Sequence, residues 1–224
     1  GLGIAQRGAA PRVRWGTALL YARAGSASDA HVIARGMLTD WLGRWPAGDW
    51  AKAWQLAYPR PYRNIVQRET KKNLVPESLV YAVMREESAF EPSAESHAAA
   101  YGLMQLIVPT AKILAKPLGL PSDASSLKQP TVNIALGTRG LAELEKTFSQ
   151  NPLLAIPGYN AGPNRPRRWL RERPRVDFDV WVEMIPITET RRYTKRVLAS
   201  RAAYAYLYER ERSAESMALP VRME

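Results

Sequence analysis

The stretch from Pro76 to Ala111 carries the residues best suited to chemistry. Val80, Val83 and Met84 follow the i, i+3, i+4 spacing of a buried helical face, and Glu87 is the next position in that series. At about 100° per residue, Glu87 falls near the middle of an apolar stripe and Glu86 about a quarter-turn away, toward its edge. Two adjacent carboxylates then meet different environments. An apolar setting penalises the charged form and raises a carboxyl's pKa, as a general acid working near neutral pH requires. Helix geometry alone fits equally well a solvated Glu-Glu pair near a helix end. Farther on, Ser96 opens a run of small residues that lets a ligand approach the backbone. Gly158-Tyr159-Asn160-Ala161-Gly162 suits a loop lip offering a ring face and an amide, or an ordinary turn. Ser88 has no His-Asp partners to activate it.

These groups need a helical frame. From Trp15 to Tyr58 the pattern predicts helices separated at Gly25, where a C-terminal cap fits, and at Pro46; residues 1–14 read as a linker. Ser28 or Asp29 can cap the second of these helices, which runs toward Trp45, and a third spans Asp49 to Ala57. Five tryptophans in this part (Trp15, Trp41, Trp45, Trp50, Trp54) read as helix-packing residues, with sugar binding as the sharper alternative. Tyr58-Pro59-Arg60-Pro61 breaks the chain, which places an N-terminal helical segment at 1–58 and a second domain with a short C-terminal tail at 59–224. In that domain, helices are expected over 62–72, through Glu87 (started by Ser78 or Pro76), from Gly102, from Pro109 and from Gln129 to Phe148. Another is expected from Asn151-Pro152 until Pro157 kinks or ends it, then a short one after Asp177, and a last one from Thr188 to Glu211. Gly137 and Gly140 are costly inside a helix and predict close packing. No strand alternation is visible, so the fold class is all-α.

The chain has 224 residues and 46% hydrophobic content, enough for one sizeable core or a domain with a smaller neighbour. No apolar run reaches transmembrane length. Cysteine is absent, which removes disulfides, thiolate nucleophiles and Cys-type zinc sites. His31 and His97 lie far apart without ligand spacing, so no metal and no cofactor are expected. The net charge of +11 favours an anionic partner: nucleic acid, anionic membrane or an acidic wall polymer. Arg165, Arg167, Arg168, Arg171, Arg173 and Arg175 concentrate it around Trp169, where a solvated face is the default reading.

Glu87-Ser88, Gly102-Leu103-Met104-Gln105, Tyr159-Asn160-Ala161-Gly162 and Glu183…Ile185-Pro186…Glu189-Thr190…Tyr193 stand in one order. In order and spacing they resemble the catalytic domain of soluble lytic transglycosylases, over about Tyr58 to Tyr208. The resemblance implies a goose-type-lysozyme-like helical domain, preceded here by helices resembling the end of an α-superhelix. It implies non-hydrolytic cleavage of the N-acetylmuramic acid–β-1,4–N-acetylglucosamine bond of peptidoglycan, giving 1,6-anhydromuramic acid ends, with Glu87 as acid and then base. By the same resemblance Ser96, Gln105, Asn160, Glu183 and Tyr193 contact substrate, and Tyr159 lies against the reacting ring or orients Glu87. Glu86 then takes a structural or solvated role. The implied protein is a monomer of the bacterial periplasm or cell envelope, acting on glycan strands, with peripheral wall or membrane association compatible and no nucleic acid partner. A hydrolytic muramidase of the same fold would need a second carboxylate, for which Glu91, Glu95, Asp123 and Glu183 are candidates; a non-catalytic wall or nucleic-acid binder is the third reading. Four positions depart from the family pattern: Ile107 and Val108 replace a methionine and a proline, Ala99 a common glycine, and Pro157 a common alanine.

Overall fold

A computed structural model describes residues 9–173, 175–209, 219 and 223. Among these the chain forms two compact units. The first runs through Arg63 and includes Ala89–Glu91; the second comprises Asn64–Ser88 and the chain from Pro92 onward. The division therefore lies at Arg63 rather than at Tyr58.

In the first unit, α1 (Pro11–Arg23), α2 (Ala27–Gly36) and α3 (Trp50–Ala57) pack around Ala18, Ile33, Leu38, Trp41 and Leu56. α1 starts at Pro11, inside the segment read as linker, because proline's fixed φ suits a first helical turn. Gly25, at φ +84°, turns the chain after it. α2 stops at Gly36, well before Trp45. The Trp41 indole N–H explains this: it donates to the carbonyls of both Ala34 and Leu38, at 2.9 Å each, and folds the chain back over the helix end. The cap position is Ser26, whose hydroxyl donates to Asp29 at 2.6 Å, rather than Ser28. Trp41 and Trp54 meet edge-on at 4.8 Å, and Trp15 and Trp50 pack on the same core. Trp45 alone of the five is exposed.

From the junction, α4 (Arg63–Asn73) leads to α5 (Glu77–Ser88). Then follow a two-stranded antiparallel hairpin, β1 (Ala100–Tyr101) and β2 (Leu106–Ile107), and α6 (Val108–Ala115), α7 (Pro130–Thr147), α8 (Pro152–Ala161), α9 (Asn164–Glu172), α10 (Phe178–Glu183) and α11 (Thr188–Tyr208). Ala100 pairs with Ile107 and Tyr101 with Leu106. The helix expected from Gly102 is instead the turn of this hairpin. Gly102 and Gln105 both take positive φ, which a helix cannot use. The fold is helical apart from that hairpin.

α5 packs on α11, α11 on α8, and α8 on α7 and α9. α5 is not the amphipathic helix its spacing suggests: Ser78 through Arg85 are all buried. Its N-terminus is capped from a distance. The Ser78 N–H donates to the Glu209 carboxylate at 2.9 Å, and the Ser78 hydroxyl, the expected cap, is buried without a partner. Glu209→Ala is expected to cost about 1 kcal/mol, the usual worth of a cap, read as a lower urea midpoint. α8 is capped as expected, the Asn151 side chain accepting from the Leu153 N–H at 3.0 Å. It then continues through Pro157 to Ala161. Pro157 removes one N–H from the ladder, and its burial among the packed residues of α8 holds the helix together. Tyr159 and Asn160 consequently sit on a helix and not on a loop lip.

Candidate active site

Three helices of the second unit bring ionisable and polar groups to the C-terminal end of α5. α5 supplies Glu87, α8 supplies Tyr159 and Asn160, and α11 supplies Tyr193. Burial pushes the Glu87 carboxyl up to about 7. The Tyr193 hydroxyl and the Arg196 guanidinium oppose that rise, and the charges of Glu189 and Glu86 add to it. Near neutral pH Glu87 therefore holds its proton about half the time. The Tyr193 hydroxyl is buried, faces Glu87 closely enough to favour its ionised form, and has no fully formed hydrogen bond. Its own pKa is raised well above the usual value, by burial and then by the Glu87 charge. Tyr159 is raised for the same two reasons, and its hydroxyl donates to the Met104 carbonyl at 2.8 Å. Both phenols thus stay protonated; the Tyr159 proton is committed to Met104, and the Tyr193 hydroxyl can donate when Glu87 loses its proton.

Glu86 differs. Its side chain is only 1% exposed and forms ion pairs with Arg85 at 2.6 Å and Arg196 at 3.1 Å. It is a buried structural carboxylate and not a solvated one.

The hairpin loop forms the other part of the site. The Ser88 hydroxyl donates to the Leu103 carbonyl at 2.8 Å and ties the end of α5 to this loop as a local support. Asn133, fully buried on α7, holds the loop from below. Its Oδ1 accepts from the Met104 N–H at 2.7 Å, and its Nδ2 donates to the carbonyls of Tyr101 and Leu127 at 2.8 and 2.7 Å. Gly102, at φ +77°, lies so close that a Cβ would collide with the Leu127 carbonyl and the Asn133 amide. Gly137 on α7 is needed for a similar reason: its Cβ would press on the Met104 side chain. The close packing expected at this glycine is against the loop.

Ser96, in the segment that precedes β1, and Gln105, in the hairpin turn, are both half-buried. The Ser96 hydroxyl accepts from the N–H groups of Ala98 and Ala100, which leaves its own proton to donate. Gln105 uses its amide N–H groups on the carbonyls of Gly102 at 2.9 Å and Ala94 at 3.3 Å, which leaves its carbonyl oxygen. Asn160 is oriented by the Thr190 hydroxyl, which donates to its Oδ1 at 2.7 Å.

Glu183 ends α10. Its exposed carboxylate pairs with Lys195 at 2.8 Å, which lowers its pKa. Two of the other candidate carboxylates are engaged elsewhere. Asp123 accepts from Ser125 and Ser126, which hold it well below the usual range, and Glu95 pairs with Lys128 at 2.9 Å; Glu91 is half-buried. Of the basic run, Arg165, Arg167, Arg168 and Arg171 lie exposed on α9, and Arg173 and Arg175 follow its end, while Trp169 of the same helix is buried in the core. His97 is exposed. Sequence reasoning missed Asn133, Thr190 as a support, and Arg196. For Arg196 and Ser200 a signal existed: with Tyr193 they follow a helical i, i+3, i+7 spacing.

The family model described as "Transglycosylase SLT domain" matches residues 64–182, just over half of the chain. The soluble lytic murein transglycosylase of Escherichia coli K12 is 38% identical over 152 residues, covering 66% of this chain and 24% of that protein. A putative soluble lytic murein transglycosylase of Haemophilus influenzae is 37% identical over 166 residues, covering 72% and 28%. The solved structure of an inactive mutant of lytic transglycosylase Slt from Pseudomonas aeruginosa superposes with a TM-score of 0.77 at 30% identity, covering 96% of this chain and 32% of that one. The chain thus spans about a quarter of the length of these two curated relatives.

Proposed function

Because the chain belongs to the transglycosylase SLT domain family, we propose that it cleaves the N-acetylmuramic acid–β-1,4–N-acetylglucosamine bond of peptidoglycan without water, leaving 1,6-anhydromuramic acid ends. What carries this reading is a desolvated carboxyl at the end of α5 that faces the Tyr193 hydroxyl of α11, its pKa raised by burial to about 7. Protonated Glu87 gives its proton to the glycosidic oxygen as the C1–O bond breaks and positive charge develops on the ring. The resulting carboxylate accepts the proton of the muramic C6 hydroxyl, whose oxygen closes on C1. One proton leaves Glu87 and one returns, so a single carboxyl completes the cycle. The attack is intramolecular, and proximity supplies much of its rate. The Tyr193 hydroxyl is placed to donate to Glu87 while it is ionised.

Ser96 offers a hydroxyl proton, Gln105 a carbonyl and Asn160 an amide N–H₂, a donor and acceptor set that suits sugar hydroxyls and acetamido groups. Glu183 is assigned to substrate through its exposed carboxylate, and Tyr159 orients the site through Met104. Asp123, Glu95 and Glu183 already have other partners, which favours single-carboxyl chemistry over a water-activating pair. The first unit serves as the end of an α-superhelix, and the protein works as a monomer in the periplasm or cell envelope.

Mass spectrometry of muropeptides released from purified murein tests this reading. Anhydro ends, lighter by one water than reducing ends, are expected. Reducing ends would make the protein a muramidase, and no release at all would remove the enzymatic reading.

A further inference from the structure

We infer that Glu86 and Arg196 act as a positioning pair for Glu87: their contact between α5 and α11 fixes Glu87 against Tyr193 and holds the Arg196 charge on Glu86 rather than on the acid. This rests on the reading of Glu87 as the proton donor.

The geometry has three parts. First, Glu86 is saturated. Its Oε1 accepts from Arg85 at 2.6 Å and from the Ser200 hydroxyl at 2.8 Å, and its Oε2 accepts from Arg196 Nε at 3.1 Å. Ser200 also accepts from Arg85 at 3.0 Å, which closes the network. Secondly, Tyr193, Arg196 and Ser200 share one face of α11. The face that grips Glu86 therefore also sets the Tyr193 hydroxyl at Glu87, and neighbouring positions on α5 receive opposite treatment. Thirdly, the charged and titratable groups acting on Glu87 are Glu86 on α5, Tyr159 on α8, and Glu189, Tyr193 and Arg196 on α11. Arg196 is the cation of this set. A proton donor beside an uncommitted guanidinium would be held ionised. Engaging Arg196 through Glu86 limits that effect and leaves Glu87 able to hold a proton near neutral pH.

The two residues make opposite predictions, which a salt bridge that does not act on Glu87 would not. Arg196→Gln removes a charge that favours ionised Glu87, so the Glu87 titration moves up by roughly one pH unit. Glu86→Gln removes a repelling charge and releases Arg196, so the titration moves down by about as much. Glu86→Gln with Arg196→Gln together returns it close to that of the wild type.

The readouts are the Glu87 carboxyl titration by NMR in the free protein and the alkaline limb of the murein-clearing rate. Opposed shifts with recovery in the double variant are the expected result. Folded variants whose Glu87 titration coincides with that of the wild type would overturn the inference. Should Glu86→Gln fail to fold, Arg196→Gln decides alone: its side chain is 46% exposed, and Glu86 keeps Arg85 and Ser200. The NMR titration reads the pair even if the wild type cleaves no murein, an outcome that would count against the proposed activity alone.

Discussion

Glu87→Gln is expected to abolish muropeptide release and at the same time to stabilise the fold above neutral pH. The amide keeps the shape of the side chain and cannot give up a proton, so a fall of about 10³-fold or more is expected from loss of the acid alone. The stability effect follows from linkage. The Glu87 carboxyl titrates at about 7 in the folded chain against 4.5 as the ordinary value. Between those values the folded state binds more protons than the unfolded state, so stability falls as pH rises, and above 7 the full cost is present. A shift of that size corresponds to about 3 kcal/mol at 1.36 kcal/mol per unit. Partial exposure of the residue reduces this to about 2 kcal/mol. Urea unfolding should therefore show Glu87→Gln level with the wild type at pH 4 and more stable at pH 8. Equal stability at both values would mean that the carboxyl is not desolvated, and would remove the physical basis for its role as an acid.

Asn133→Ala is the second large effect, and it acts where no substrate is touched. Three main-chain groups, the Met104 N–H and the carbonyls of Tyr101 and Leu127, lose their buried partner together. Each unsatisfied buried group costs about 1–3 kcal/mol. A loss of roughly 4 kcal/mol is expected, measured by thermal or urea unfolding. The fraction that remains folded should turn over at least about tenfold more slowly, because the Met104 carbonyl that anchors Tyr159 is no longer fixed. Asn133→Asp tests the division of labour. It keeps the acceptor for Met104 but sets a buried carboxylate oxygen against two carbonyls, so at neutral pH it should be at least as destabilised as Ala and regain part of the loss on acidification.

Local chemistry made several elements legible. Asn151-Pro152 specifies its helix start through a side-chain acceptor and a ring with fixed φ. For α7 the ring of Pro130 marks the start with no side-chain cap, and Gly25 turns the chain after α1. Glu87 was found as the position continuing an apolar series, although the reason was incomplete, since the structure buries α5 on every side along its middle. What stayed hidden depends on partners distant in sequence. Glu86 looks like a surface residue until Arg196 and Ser200, on another helix, close around it. The end of α2 depends on Trp41 folding back to its carbonyls. The hairpin was hidden because its turn is set by positive φ at Gln105, a residue type that does not advertise that conformation. Pro157 reads as a stop, and only the packing around α8 carries the helix past it.

The Gly102–Gln105 turn is held by the Asn133 amide from α7, the Ser88 hydroxyl from α5, the Tyr159 hydroxyl from α8 and the Gln105 amide within the turn, and none of these ties involves the side chain of Ile107 beside it. Ile107, one of the departures from the family pattern, is exposed. Drift at such a position rewrites the surface offered to a ligand and leaves the frame intact. The loop is thus an evolvable rim on a fixed mount, where substrate preference can be retuned one residue at a time without endangering the fold.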